Sequence, residues 1–366
     1  MGKKTVVVGM SGGVDSSVAA LLLKKEGYDV IGLFMKNWEE KDKRGVCKSS
    51  LEYEDVLKVC EKIDIPCYSV EFTKEYQENV FSHFLEGYKK GFTPNPDILC
   101  NREIKFHHFL NKALSFGADF LATGHYVQNL LIDNKHTLVK GKDPEKDQSY
   151  FLYTLKESIL QKVLFPIGKY HKSEVRAIAK EHDLTTHDKK DSTGICFIVK
   201  RAFKPFLSQF LKPNPGLFMT LDNKPLGPHD GISFYTIGQR KGLNIGGEGD
   251  AWYVAGKDIE KNIVYLVQGK DHPALFSDTL FAGDISWINN PPSFPLTCSA
   301  KVRYRQEDEP CTVYLEDDKL KVVFKNPQRT IAIGQSVVFY NNTVCLGGAM
   351  ITKVGSTLYD KKTAIG

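Results

Sequence analysis

The sequence predicts an α/β fold for its first half, built on a parallel sheet with crossover helices, and two smaller β-rich units after it. Three observations predict this. Short apolar runs and helical patterns take turns from Thr5 to Thr123, as strand and helix do when a sheet is parallel. A glycine-rich turn separates the first apolar run from the first helical pattern. After Pro213-Asn214-Pro215-Gly216 the character changes to short β-like runs split by Gly and Pro. At 366 residues the chain exceeds the usual size of one domain, so two or three are expected.

In chain order, Thr5–Gly9 reads as a strand, Val14–Lys25 as a helix, Tyr28–Phe34 as a strand, Glu52–Ile63 as a helix and Cys67–Val70 as a strand. Asp119–Thr123 continues the sheet. From Tyr150 to about Phe210 the periodicity is mostly helical, and Ser173–His182 reads as a helix behind a serine cap. Gly231–Ile237, Trp252–Ala255 and Ile263–Val267 read as strands of a central unit. Ser299–Arg305, Cys311–Leu315, Leu320–Phe324 and Ser336–Tyr340 suggest a small β-barrel. The expected division is therefore 1–204, 205–278 and 279–366.

Composition narrows the class. With 42% hydrophobic and 25% charged residues the chain is globular rather than disordered. A net charge of +5 is compatible with a polyanionic partner and does not demand one. No stretch approaches the roughly 18 apolar residues of a membrane span. Met1-Gly2-Lys3-Lys4 leads straight into the first strand without the features of a signal peptide, so cytoplasmic residence is expected. The eight cysteines (47, 60, 67, 100, 196, 298, 311 and 345) include no CxxC pair, which argues against a zinc ribbon and against a cluster held by paired thiolates. Isolated cysteines acting as nucleophiles remain open.

The strongest chemical signal is Ser11-Gly12-Gly13-Val14-Asp15-Ser16-Ser17, between the first strand and the first helix. Glycines let the backbone approach a ligand, and the free N–H groups and dipole of a helix start favour an anion, so this turn reads as a phosphate cradle. It is neither a Walker loop nor a dinucleotide fingerprint, whose spacings it lacks. It resembles the pyrophosphatase loop of the N-type ATP pyrophosphatases, which adenylate a substrate and release pyrophosphate. That resemblance places ATP on Gly9, Met10, Ser11, Gly12, Gly13, Val14, Asp15 and Ser16, with Asp15 managing the magnesium ion and no dedicated protein ligand set assigned to it.

A second constellation is Pro94-Asn95-Pro96-Asp97-Ile98-Leu99-Cys100-Asn101, followed by Ile104, Phe106, Phe109 and Leu110 at helical spacing. Asp97 reads as an N-cap, which puts Cys100 in the first helical turn, where the dipole favours a thiolate. The same residues also suit a capping aspartate and a small buried cysteine. A third, Asp191-Ser192-Thr193-Gly194-Ile195-Cys196-Phe197, sets a cysteine behind a glycine, and spacing alone does not bring Cys196 to Cys100.

Taken together, the SGGVDS loop, NPDILCN followed by Ile104-Lys105-Phe106, and STGICF resemble the pattern of the tRNA-specific 2-thiouridylase family. The likeness runs on through Tyr235-Thr236-Ile237-Gly238-Gln239-Arg240 and Val302-Arg303-Tyr304-Arg305. It implies ATP-dependent 2-thiolation of the wobble uridine of tRNA, with Cys196 as persulfide carrier, Cys100 as nucleophile, a transient Cys100–Cys196 disulfide, and Asp97 as general acid or base. It further implies ATP contacts at Met35 and Gly124, and tRNA contacts at Asn95, Pro96, Asp97, His125, Asp147, Gln148, Ser149, Tyr304, Arg305 and Gln335. ATP with Mg2+ and a persulfide sulfur donor protein complete the expectation. The alternative is another adenylating enzyme on the same loop, an amide- or amidine-forming ligase to which the cysteines are bystanders.

Overall fold

The computed structural model describes residues 2–39, 48–190 and 203–363. Among them the first sheet is fully parallel. It comprises β1 (Thr5–Met10), β2 (Asp29–Lys36), β3 (Cys67–Glu71), β4 (Phe120–Ala122) and the short Val163–Leu164, in the order β3-β2-β1-β4 and then Val163–Leu164. Val6, Val7 and Val8 are each fully buried, because helices cover both faces of the sheet. The helix α1 (Val14–Lys25) lies against one face and buries Val14, Val18, Ala19, Ala20 and Leu23. α2 (Lys48–Lys62) buries Val56, Val59 and Cys60 in the same cluster.

The other face is covered by the NPDILCN segment and its continuation. One unbroken helix, α3, is α-helical over Pro96–Leu99, π-helical over Cys100–Phe109 and α-helical again over Leu110–Ser115. Its cap differs from the sequence expectation. Asn95, not Asp97, is the N-cap: its side chain accepts from the Asp97 N–H at 3.2 Å, and Pro96 occupies the first helical position. Asp97 therefore sits inside the helix, and Cys100 is one full turn in rather than at the first exposed N–H groups.

A four-stranded sheet follows, pairing Gly216–Met219, Pro225–His229, Trp252–Asp258 and Ile263–Gln268. Gly231–Ile237 is not a strand there; Ile232–Phe234 form a single 3₁₀ turn behind Gly231, whose φ of +142° suits glycine. The last sheet closes into a barrel, since Phe276–Trp287 pairs with both Lys319–Arg329 and Val344–Val354. Its first inner strand ends at Lys301, so Arg303 and Arg305 lie in the turn beyond rather than on a period-two strand face. The helix α4 (Lys172–Glu181) has His171 as its N-cap instead of Ser173, with the His171 N–H held by Glu174 at 2.6 Å.

Several elements were absent from the sequence expectation, among them the helical run Thr73–Lys89, the strands Phe276–Trp287 and Val344–Val354, and one hairpin. Val127–Ile132 and Lys135–Lys140 form a hairpin that leaves the first unit and joins the barrel sheet through Val139 opposite Val344. The barrel is thereby stitched to the parallel-sheet unit. No helix among the described residues is long and apolar enough to cross a membrane.

Candidate active site

The turn at Ser11–Gly13 is shaped by contacts on every side. Gly12 has φ of +71°, and a Cβ there would meet the Glu52 carbonyl oxygen at 2.7 Å. Ser16 Oγ accepts from the Ser11 N–H at 3.1 Å, and Ser17 Oγ donates to the Gly13 carbonyl at 2.9 Å. No side chain caps α1, whose N-cap is Gly13 itself, so its leading N–H groups face the turn. Gly124 crosses directly over this helix start: a Cβ would lie 2.8 Å from Asp15 C and Ser16 N. These features fit the phosphates of a nucleotide.

Asp15 is not presented as an unengaged metal ligand. Its carboxylate takes Lys172 Nζ at 2.7 and 2.8 Å and the Tyr126 hydroxyl at 2.7 Å. Lys189 Nζ donates to the Gly12 carbonyl at 2.8 Å and pairs with Asp55 at 2.7 Å. The phosphate turn is thus braced by two lysines that lie far along the chain. Met10 is buried, Val14 faces the core, and Met35 is half-buried against the α3 side of the sheet.

α3 carries the second half of the site. Cys100 is 1% exposed and packs in the core around α3. Asp97 has no hydrogen bond or ion pair at its carboxylate among the described residues, and burial raises its pKa above the ordinary carboxylate value, against an opposing pull from Lys105. His125 is buried with Nδ1 on Thr123 Oγ1 at 2.7 Å, and burial, with the Lys105 charge adding, holds its pKa well below the ordinary value. It is therefore a neutral imidazole at neutral pH. Asn101, buried at 2% exposure, donates through Nδ2 to the Phe151 carbonyl at 3.1 Å, while its Oδ1 has no partner.

The raised Asp97 carboxyl has a signed consequence. Its protonated form is favoured by the fold, so its contribution is present below about pH 3.8 and is lost as pH rises through the higher folded value. At neutral pH the ionised, unpaired carboxylate costs stability. Asp97→Asn is expected to melt at a higher temperature than the unsubstituted protein at pH 7, with the gap closing in acid; an equal or lower melting temperature at pH 7 refutes this reading.

The expected tRNA-side residues fall into two groups. Gln335 Nε2 donates to the Thr93 carbonyl at 2.6 Å, two residues before Asn95, and the Tyr304 ring packs on Phe151 at 4.5 Å beside the Asn101 bond. Barrel residues therefore reach the neighbourhood of Cys100, and Arg305 next to them is exposed. Pro96 is buried at the helix start, and Gln148 Oε1 accepts from the Tyr126 N–H at 2.9 Å. Asp147 and Ser149 are buried and face inwards. Asp147 accepts from the Gly141 and Ser149 N–H groups and from Ser149 Oγ, and Ser149 Oγ also meets the Tyr340 hydroxyl at 3.1 Å. Their side chains are hydrogen-bonded within the fold. Cys196 and the rest of Asp191–Phe197 lie outside the described residues.

Residues 4–200 match a family model described as the tRNA methyl transferase HUP domain, 204–268 its PRC-barrel domain, and 277–351 an aminomethyltransferase beta-barrel domain. A protein named tRNA-specific 2-thiouridylase MnmA from Protochlamydia amoebophila is 58% identical over 365 residues, covering 99% of this chain and 97% of the relative. The chain belongs to the tRNA-specific 2-thiouridylase family. The namesake from Bacillus subtilis is 55% identical over 352 residues, covering 95% of each. Membership extends over the parallel-sheet unit, the central unit and the barrel alike.

Several site residues in this 2-thiouridylase family member were missed from sequence. Lys172 and Lys189 stand 157 and 177 residues from their loop partners, and no local pattern marks them. Lys105 and Asn101 sat inside the quoted motif, yet periodicity gave them no role beyond helix positions.

Proposed function

We propose that the chain is an ATP-dependent tRNA-uridine 2-sulfurtransferase acting on the wobble uridine. The observation that carries this is one helix: α3 holds Asp97 and Cys100 at its start and, through Phe109, meets Gly9 of the phosphate-loop strand, where a Cβ would come within 3.1 Å of the ring. A thiol and a carboxyl are thus tied rigidly to a phosphate cradle. The family name of its full-length relatives supports the same reading.

Gly9 to Ser16 and Gly124 hold ATP, and magnesium travels with its phosphates. The uracil O2 takes up the α-phosphorus while pyrophosphate departs, and the N3 proton passes to Asp97. The terminal sulfur of a Cys196 persulfide then attacks C2 and AMP leaves. Cys100 thiolate attacks the Cys196 sulfur of the resulting linkage, which frees the thiolated base and leaves a Cys100–Cys196 disulfide for an external thiol to reduce. A persulfide donor protein recharges Cys196. Asn95 to Asp97 meet the flipped base, while His125, Gln148, Tyr304, Arg305 and Gln335 contribute to the RNA-facing surroundings.

Chain length supports the meeting of the two thiols. Lys189 is anchored at Gly12, and the seven residues from there to Cys196 span at most about 24 Å. Cys100 lies nine helical positions before Phe109, which makes the Gly9 contact. We place the domains at 1–204, 205–278 and 279–366, and the enzyme in the cytoplasm.

The test is direct. Purified protein, unmodified tRNA, magnesium-ATP and a persulfide donor are incubated, and the digested RNA is expected to contain 2-thiouridine. Absence of that nucleoside with a competent donor overturns the proposal.

A further inference from the structure

Among the described residues, Lys105 is a cation beside the site that the fold does not engage. It is half-buried on α3, and among the described residues no hydrogen bond or ion pair engages its ammonium. The other lysines near the phosphate turn are committed, Lys172 to Asp15 and Lys189 to Gly12 and Asp55. Its charge is felt by Asp97 without a direct ion pair among the described residues, and a half-buried ammonium in that position is stabilised when a ligand supplies an anion.

Its position along the helix says which anion. Phe109, one turn further on, meets Gly9 of the strand entering the phosphate turn. Asp97 lies eight residues before Lys105 on the same helix. Phe106, the next residue, packs on His125 with ring centroids 5.8 Å apart, and His125 follows Gly124, which touches the start of α1. Lys105 thus lies on the stretch of α3 between the contact with the phosphate-turn strand and Asp97.

We propose that Lys105 is a catalytic residue of the adenylation step, its ammonium binding the non-bridging oxygens of the α-phosphoryl group as that group moves from pyrophosphate to the uracil O2. The inference rests on the function proposed above. The O2–phosphorus bond forms as the bond from phosphorus to the pyrophosphate oxygen breaks, the electron pair leaves with pyrophosphate, and the N3 proton goes to the Asp97 carboxylate. Lys105 gives up no proton. It balances charge that grows on the equatorial oxygens in the transition state, which is where a fixed cation acts most strongly. Burial raises the Asp97 carboxyl and lowers the His125 imidazole, and the Lys105 charge opposes the first shift and adds to the second.

The experiment measures tRNA-dependent pyrophosphate release from magnesium-ATP by the full-length protein, its Lys105→Met and Lys105→Arg forms, and Lys105→Gln where the Met form melts low. Loss of one such electrostatic contact is expected to lower kcat about 10²–10³-fold with little change in the KM for tRNA, and arginine is expected to restore most of it. The acidic limb of the pH–rate profile is expected to move to higher pH in the Met and Gln forms and to stay in place in the Arg form, a change that a packing role does not produce. A kcat unchanged within error, or a loss confined to KM, overturns the assignment of Lys105. No pyrophosphate release from the unsubstituted protein overturns the proposed function instead, so the two failures are told apart by the first assay.

Discussion

Cys100→Ser is expected to abolish 2-thiouridine formation, by more than about 10³-fold, while tRNA-dependent pyrophosphate release continues. The substitution exchanges sulfur for oxygen in a side chain that is 1% exposed, and the neighbouring Ile98 and Ile104 keep their packing, so the fold should survive. Adenylation uses the loop on the far side of α3 and does not call on the thiol. A hydroxyl, however, cannot attack the sulfur of a persulfide adduct at neutral pH, because it is neither ionised nor soft enough. Adenylated or Cys196-linked tRNA should accumulate, detectable by mass spectrometry. If the serine form makes product at the unsubstituted rate, Cys100 is only a core residue. Loss of pyrophosphate release as well would mean that the thiol supports the fold and not the sulfur step. Because Cys100 is buried, the base must reach it through movement of the residues around it.

How much of this was legible in the sequence depends on the range of the forces involved. Thr5–Gly9, Val14–Lys25 and Trp252–Ala255 follow from local apolar periodicity, and the structure has Thr5–Met10, Val14–Lys25 and Trp252–Asp258 there, the two strands running one and three residues further. The cap of α3 was misread although the deciding residue was in view. Asn95 and Asp97 are equally good capping types, and the tie is broken by Pro96, whose missing N–H and fixed φ suit the first helical position and so put the cap one residue before it. The Val127–Lys140 hairpin was illegible for a different reason. Its strands are stabilised by a partner, Val344, that lies some 200 residues later, and its tip exposes the consecutive Leu130, Leu131 and Ile132 on both faces, which blurs the alternation of a half-buried strand. The same holds for Asp147 and Ser149. From sequence they could cap a helix or meet RNA, and only the position of Tyr340 and Lys301 in the barrel turns both side chains inwards.

Gly12→Ala is expected to raise the Kd for ATP about tenfold or more, whereas Gly13→Ala, its neighbour in the same motif, should bind nearly as the unsubstituted protein does. The two glycines look alike in sequence and differ in what surrounds them. At Gly12 the backbone is left-handed, with φ of +71°, a conformation that costs an alanine about 1–2 kcal/mol. Its Cβ would also come within 2.7 Å of the Glu52 carbonyl oxygen, a backbone atom that cannot swing aside, so either α2 or the turn must shift. The turn is the softer of the two, since it is held by the Ser11–Ser16 contacts and by Lys189 on the Gly12 carbonyl, and any shift there misdirects the N–H groups that bind phosphate. Gly13 has φ of −99° and ψ of 165°, ordinary extended backbone, and a Cβ on it would find only Ser11 Oγ at 3.5 Å, a normal contact. Calorimetric titration of both variants with magnesium-ATP separates them. Equal affinities for the two would mean that the turn does not hold the nucleotide through its backbone.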